Sequence, residues 1–334
     1  MLVSILIPCF NAERWIGQAI ESALAQTWLE KEVIVVDDGS TDRSLDVIRR
    51  FDGQIHWETG PNRGGGAARN RLMELAAGPW LQYLDADDFL LPEKISRQME
   101  FLRGHPETEI IFSPTLTEYM VDGKIVRYES SIPQPRDPWV LLALWALPQT
   151  GGPLWKRAAL QRVDGWRVGQ PCCQEHELYG RLLEAGCICH FIDDCLAVYR
   201  VWELGDRLVP RMIQQIPVQR LKILARMERY LTEQSQLTLS RRQAINDARH
   251  QIARGLWLQN PNAALGIIEQ IRDSDERFCP NDGPASPPGY RAVYRILGFR
   301  DAQRIAGILR RCRRITMRGT GQNRARSRAP VPTR

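Results

Sequence analysis

Val33-Ile34-Val35-Val36-Asp37-Asp38-Gly39-Ser40-Thr41-Asp42 sets four β-branched residues directly against a cluster of acids and small hydroxyl side chains. The first four read as a core strand, and the polar six as the turn and helix cap that follow it. The same device recurs along the first hundred residues. Ser4 to Pro8 runs into Pro8-Cys9-Phe10-Asn11, Ile55 to Glu58 leads to Asn62 and Arg69, and Trp80 to Leu84 ends in Asp85-Ala86-Asp87-Asp88. Between these strands, apolar positions three and four apart predict helices over Glu13 to Gln26, Asp42 to Phe51, Gly65 to Ala76 and Glu93 to Leu102, with Thr41 or Asp42 capping the second. Short strands alternating with helices are the mark of βαβ units, so the fold class is α/β with a mostly parallel central sheet. In such sheets ligands bind beyond the carboxyl ends of the strands, which is where these acids gather.

Further along, strand-like pieces flank an Asp122-Gly123 turn, an apolar helix lies near Trp139, and a helix from Gln174 to Ala185 precedes a strand pair, Ile188 to Ile192 and Leu196 to Tyr199. We expect a catalytic domain over 1–205, a helical region over 206–278, and a third part over 279–334. That last part combines a Pro/Gly-rich linker to Gly289, a basic amphipathic helix near Asp301 to Arg314 and a disordered basic tail.

The chain has 334 residues, 43% hydrophobic and 25% charged, enough for a large core. Its net charge of +6 is uneven: residues 289–334 hold thirteen arginines and one acid, Asp301, leaving 32 basic against 38 acidic residues elsewhere. A cationic end on a mildly acidic body points to an anionic membrane surface or another polyanion, or equally to a charged helix packed on the body, and no nucleic-acid recognition motif accompanies it. The apolar start lacks a basic leader, and the longest apolar run, Trp139 to Leu147, is far below the roughly 20 residues of a membrane span. A cytoplasmic protein, peripheral at the inner face of a membrane, is expected. Eight cysteines, including Cys172, Cys173, Cys187, Cys189 and Cys195, have no zinc-type spacing and read as reduced thiols.

Each polar cluster has an ordinary explanation taken singly: a capped turn for Asp37 to Asp42, a cap at Asp88 before the next helix, a close turn for Gly64-Gly65-Gly66. Carboxylates gathered along one sheet edge would nevertheless repel one another unless a cation or a donor-rich ligand sits among them. Taken together, Val3-Ser4-Ile5-Leu6-Ile7-Pro8, Val35 to Asp42, Gly66-Ala67-Ala68-Arg69-Asn70 and Leu84-Asp85-Ala86-Asp87-Asp88 resemble family-2 glycosyltransferases in order and spacing over about residues 2–200.

That resemblance implies a GT-A nucleotide-binding sandwich and transfer of a sugar from a nucleoside diphosphate donor, a UDP-sugar by expectation, to a glycan or lipid-linked acceptor with inversion. It implies that Pro8, Phe10 and Asn11 line the nucleotide pocket, that Asp37 and Asp38 accept from base or ribose, and that Arg69 closes over the nucleotide. By the same resemblance Asp85 contacts ribose and Asp87 binds Mn²⁺ or Mg²⁺. The acid pair that opens a late helix in the family matches Gln174-Glu175, which makes Glu175 the candidate general base and Gln174 a departure. Glu175 shares a helix face with Leu178 and Leu182, whereas Glu177 and Arg181 read as a solvated i,i+4 ion pair. A second departure is Val201-Trp202 after Tyr199-Arg200, where relatives carry a histidine that can complete metal binding. These departures keep open a rival reading, a non-catalytic nucleotide- or glycan-binding protein of the same fold.

Overall fold

The computed structural model describes residues 1–121, 124–201, 214–283 and 285–319. They form two compact units that divide between Ile223 and Leu224. The expected domain edge near Gly205, the Asp122-Gly123 turn and Trp202 lie outside the described residues, as does the tail from 320 onward.

In the first unit a seven-stranded sheet is built from β1 (Val3–Cys9), β2 (Lys31–Asp37), β3 (His56–Thr59), β4 (Trp80–Tyr83), β6 (Ile110–Phe112), β9 (Leu154–Lys156) and β10 (Cys189–Phe191), in the order β10-β6-β9-β4-β1-β2-β3. β1 to β4 run parallel, β9 is antiparallel to β4 and β6, and β10 is parallel to β6. The fold is thus α/β around a mostly parallel sheet. Residues along β1 are buried on both faces, as crossover helices require. Ile5 and Ile7 meet α1 (Ile16–Leu24), whose Ile16, Ala19, Ile20 and Ala23 are spaced three and four apart and form its buried face. Each fully buried Ile of this kind stabilises the fold by about 1.5–3 kcal/mol. On this unit α2 (Ser44–Arg49), α3 (Gly65–Leu75) and α4 (Lys94–Gly104) follow at the expected places. The N-cap position of α2 is Arg43, without a side-chain cap, rather than Thr41 or Asp42; Asp42 Oδ1 instead braces the first helical residue, accepting from Ser44 N at 2.9 Å and Ser44 Oγ at 2.5 Å.

A smaller sheet, β5-β11-β7-β8, joins β5 (Phe89–Leu90), β7 (Thr115–Val121), β8 (Lys124–Glu129) and β11 (Ala197–Val201). The two strands expected to pair late in the domain therefore part company: β10 joins the large sheet beside β6, and β11 joins the small one between β5 and β7. The short helices α5 (Pro138–Ala143), opened by the Asp137 carboxylate on Trp139 N and Val140 N, and α6 (Arg157–Arg162) precede α7 (Gln174–Glu184).

The unit boundary falls inside α8 (Ile216–Glu233). In the second unit α9 (Leu239–Leu256) packs on α10 (Pro261–Ser274), and α11 (Pro288–Gly319) is kinked at Gly298, whose φ is 75°. The Pro/Gly-rich segment before α11 is tied to α9: Asn281 N and Nδ2 donate to Asp247 at 2.9 Å each, and Gln243 Nε2 donates to Cys279 O at 3.0 Å.

Candidate active site

At the end of β2 the two acids face different tasks. Asp38 accepts from Arg63 N at 2.8 Å and Gly64 N at 2.9 Å, one on each oxygen, and so fastens the loop ahead of α3. Asp37 Oδ2 accepts from Thr59 Oγ1 at 2.7 Å, while its buried Oδ1 has no hydrogen-bond partner among the described residues. Such an orphaned acceptor costs free energy unless a ligand donor meets it. Both acids line a cleft of about 410 Å³ together with Thr59, Arg63, Asn70 and Arg71; Asp85, Asp87 and Glu175 are not part of that lining. At the end of β1, Phe10 is half-exposed beside Pro8, and Asn11 Oδ1 accepts from Thr41 N at 2.8 Å, which ties the first strand's loop to the second's.

Arg69 is where the separate loops converge. Gly64, with φ 88°, turns the chain into α3, and Gly66 lets that helix approach so closely that a Cβ there would stand 2.8 Å from Arg167 O. One turn on, the buried Arg69 guanidinium donates to Asp85 Oδ1 at 2.7 Å and to Gln174 Oε1 at 2.7 Å, and lies 4.8 Å over the Trp166 ring. Burial works against its charge, but Asp85 and Glu175 together hold its pKa above the ordinary value. Asn70 fixes Trp166 in turn, accepting from its N and donating to its O at 2.7 Å each. Gln174, the departure from the family acid, takes one end of Arg69 by its amide oxygen. The contacts of Trp166 and Gln174 with Arg69 were invisible in the sequence, because about a hundred residues separate them.

The loop Asp85 to Asp88 is held from the small sheet. Arg200 N donates to Asp88 Oδ1 at 2.9 Å, and Arg200 Nη1 donates to the Asp87 carbonyl at 3.3 Å. The buried Arg200 side chain also pairs with Glu118 at 3.3 Å and lies 4.4 Å over Phe89. Asp88 was expected to cap α4; instead it is buried on the backbone of β11, and α4 opens at Glu93 without a side-chain cap.

Glu175 stands in the first turn of α7, after Cys173 in the left-handed region at φ 60°. Its Oε1 accepts from Thr150 Oγ1 at 2.5 Å, and Leu178 and Leu182 on the same face are fully buried. Glu177 does pair with Arg181, at 2.8–3.0 Å, but the pair is not solvated: Glu177 is 6% exposed and a second cation, Arg167, stands 3.4 Å away. Periodicity gives the partner but not the face. His176 stacks on Trp145 at 3.5 Å, and burial pushes its pKa down to about 3. Cys172 and Cys173 Sγ lie 3.8 Å apart as free thiols, and burial pushes the Cys173 thiol up. Among the described residues no three His, Cys, Asp or Glu side chains are grouped to hold a metal. Asp85 and Asp87 carry carboxylate oxygens, the hard ligands that Mn²⁺ and Mg²⁺ take, and one oxygen of Asp85 is already held by Arg69.

Residues 4–161 match the family model described as glycosyl transferase family 2. An uncharacterized glycosyltransferase of Nostoc sp. is 31% identical over 187 residues, 52% of this chain and 58% of that protein. The Escherichia coli UDP-Glc:alpha-D-GlcNAc-diphosphoundecaprenol beta-1,3-glucosyltransferase WfaP is 37% identical over 113 residues, 34% of this chain and 43% of that one. The chain thus spans less than two thirds of the length of these curated relatives. Among solved structures, S. aureus TarS 1–349 in complex with UDP-GlcNAc has a TM-score of 0.56 at 16% identity, over 83% of this chain and 91% of that one. The mannosyltransferase PcManGT from Pyrobaculum calidifontis, in complex with GDP-Man and Mn²⁺, has a TM-score of 0.51 at 17% identity, over 80% of this chain and 78% of that one. At such identities the likeness is one of fold, and that fold is GT-A.

Proposed function

We propose that this chain, whose residues 4–161 match the glycosyl transferase family 2 model on a GT-A fold, moves one sugar from a UDP-sugar to a glycan or lipid-linked acceptor, inverting the anomeric centre. The observation that carries the proposal is the Arg69 guanidinium shared between Asp85 and Gln174, because it joins the acidic loop after β4 to the helix that presents Glu175. The donors in WfaP's name and in the TarS complex are UDP-sugars, and WfaP's name gives a diphosphoundecaprenol acceptor; both support this donor and acceptor class.

In this reading the nucleotide occupies the ends of β1 and β2, with Pro8, Phe10 and Asn11 along the pocket and the unpaired Asp37 Oδ1, with Asp38, receiving base or ribose donors. Arg69 covers the nucleotide from above, held by Gln174, and Asp85 faces the ribose. Asp87 would hold a divalent cation, which when bound offsets the charge of the departing diphosphate. Glu175 takes the proton from the acceptor hydroxyl as that oxygen attacks the anomeric carbon, in a single displacement without a covalent sugar-enzyme adduct. The test is transfer by the purified protein from a panel of nucleotide sugars with Mn²⁺. Glu175→Gln should lower turnover by about 10²–10⁴-fold while UDP-sugar binding, read by thermal shift, persists. Turnover at the original rate in that variant would reject the assignment, and binding without any transfer in the original protein would favour the non-catalytic reading.

Among the described residues no helix is long and apolar enough to cross a membrane. We place the protein at the cytoplasmic face of an anionic membrane through α11, where Arg291, Arg295, Arg300 and Arg304 accompany exposed Ile296, Leu297, Ile308 and Leu309. Replacing Ile296, Ile308 and Leu309 by Ser should weaken sedimentation with phosphatidylglycerol vesicles, and equal sedimentation would count against that location.

A further inference from the structure

The loop Pro148-Gln149-Thr150-Gly151-Gly152 attracts an unusual number of buried polar side chains. Tyr179 Oη donates to Pro148 O at 2.8 Å. Gln82 Nε2 donates to Gly151 O at 3.0 Å, and Gln98 Nε2 and Ser113 Oγ donate to Gly152 O at 3.1 and 2.8 Å. Behind the two glutamines lies Lys94, fully buried, whose Nζ donates to Gln82 Oε1 and, at 2.7 Å, to Gln98 Oε1. By occupying both amide oxygens, the amine orients both NH2 groups toward the loop carbonyls. Gly152 is required as it stands, since a Cβ there would meet Ser113 O at 2.5 Å and Pro148 Cβ at 2.7 Å.

Burying an amine and several amides is costly, and a fold that needed only packing at this place would fill it with apolar side chains. What emerges from the network at the site is one hydroxyl. Thr150, itself buried, donates from Oγ1 to Glu175 Oε1 at 2.5 Å. We propose that Thr150 is a positioning residue for the reaction, and that the network of Lys94, Gln82, Gln98, Ser113 and Tyr179 holds its loop rigid so that the hydroxyl fixes the Glu175 carboxylate. With Oε1 occupied, Oε2 is the oxygen turned to the acceptor hydroxyl. The inference rests on Glu175 being the base, and it adds that the base is aimed from outside its own helix.

The test compares Thr150→Val, which keeps shape and volume but removes the donor, with Thr150→Ser, which restores it. Thr150→Val should lower kcat by about 10- to 100-fold, the range for a lost hydrogen bond to a charged group, with the donor KM unchanged. Thr150→Ser should recover kcat to within about threefold of the original protein. Tyr179→Phe, which releases Pro148 from the far side of the loop, should lower kcat in the same direction, again without moving donor KM. An original kcat in Thr150→Val, or a Thr150→Ser protein as slow as Thr150→Val, overturns the inference; an unaltered kcat in Tyr179→Phe overturns the part given to the network. Glu175→Gln measured alongside separates the two levels: if it is inactive while Thr150→Val is not impaired, only this inference fails, and if it is fully active, the base assignment fails with it.

Discussion

Arg69 binds two partners through two different nitrogens, so its value lies in geometry as much as in charge. Lysine offers a point charge in place of the planar fork, and Arg69→Lys should raise the donor KM by about tenfold, with kcat less affected. Gln174→Glu should be tolerated within about threefold, because a carboxylate in the same place still accepts from Arg69, whereas Gln174→Ala should mimic part of the Arg69→Lys loss. Initial-rate measurements on the three variants check this, and a Gln174→Ala enzyme with unchanged donor KM would deny that Gln174 supports Arg69. At this scale the residue types at the strand ends could be read from the sequence, since each acid follows its own apolar run within a few positions. Their partners could not. Asp88 meets Arg200, and Arg69 meets Gln174, across a hundred residues, and neither local pattern nor capping rules carry information over that distance.

The glycines that open α3 show what an element needs in order to deliver such a side chain. Gly66→Ala would drive a methyl against the Arg167 carbonyl, a backbone atom that cannot swing away. It should cost roughly 1–3 kcal/mol in urea unfolding and also raise donor KM, because α3 carries Arg69. An alanine variant as stable as the original would mean that the 165–168 loop yields freely. The strand and helix order of the first hundred residues was legible because apolar runs, turns and periodic stretches alternate there without interruption. Later the signal thins: β10 and β11 are both short and mix apolar with polar residues, and nothing within three to five residues tells which sheet each will join. The same limit applied to Glu177, whose i,i+4 spacing announced Arg181 but not that α7 turns the pair inward.

In the molecule as a whole, each unit buries a histidine whose pKa burial pushes from 6.5 to about 3, His176 in the first and His250 in the second. Between those values the unfolded chain binds a proton that the folded one refuses. The stability these residues contribute is therefore complete above about pH 6.5 and declines as pH falls toward about 3, by roughly 1.4 kcal/mol per pH unit for each. Urea midpoints measured from pH 7 to pH 4 should fall accordingly, and His176→Phe, which keeps a ring against Trp145, should flatten the decline of the first unit. A slope identical with and without His176 would contradict this. Arg200 has a wider consequence. One guanidinium and its own amide clasp the Asp87 carbonyl and the Asp88 carboxylate, so a displacement of the smaller sheet is transmitted to the acidic loop without an intermediary.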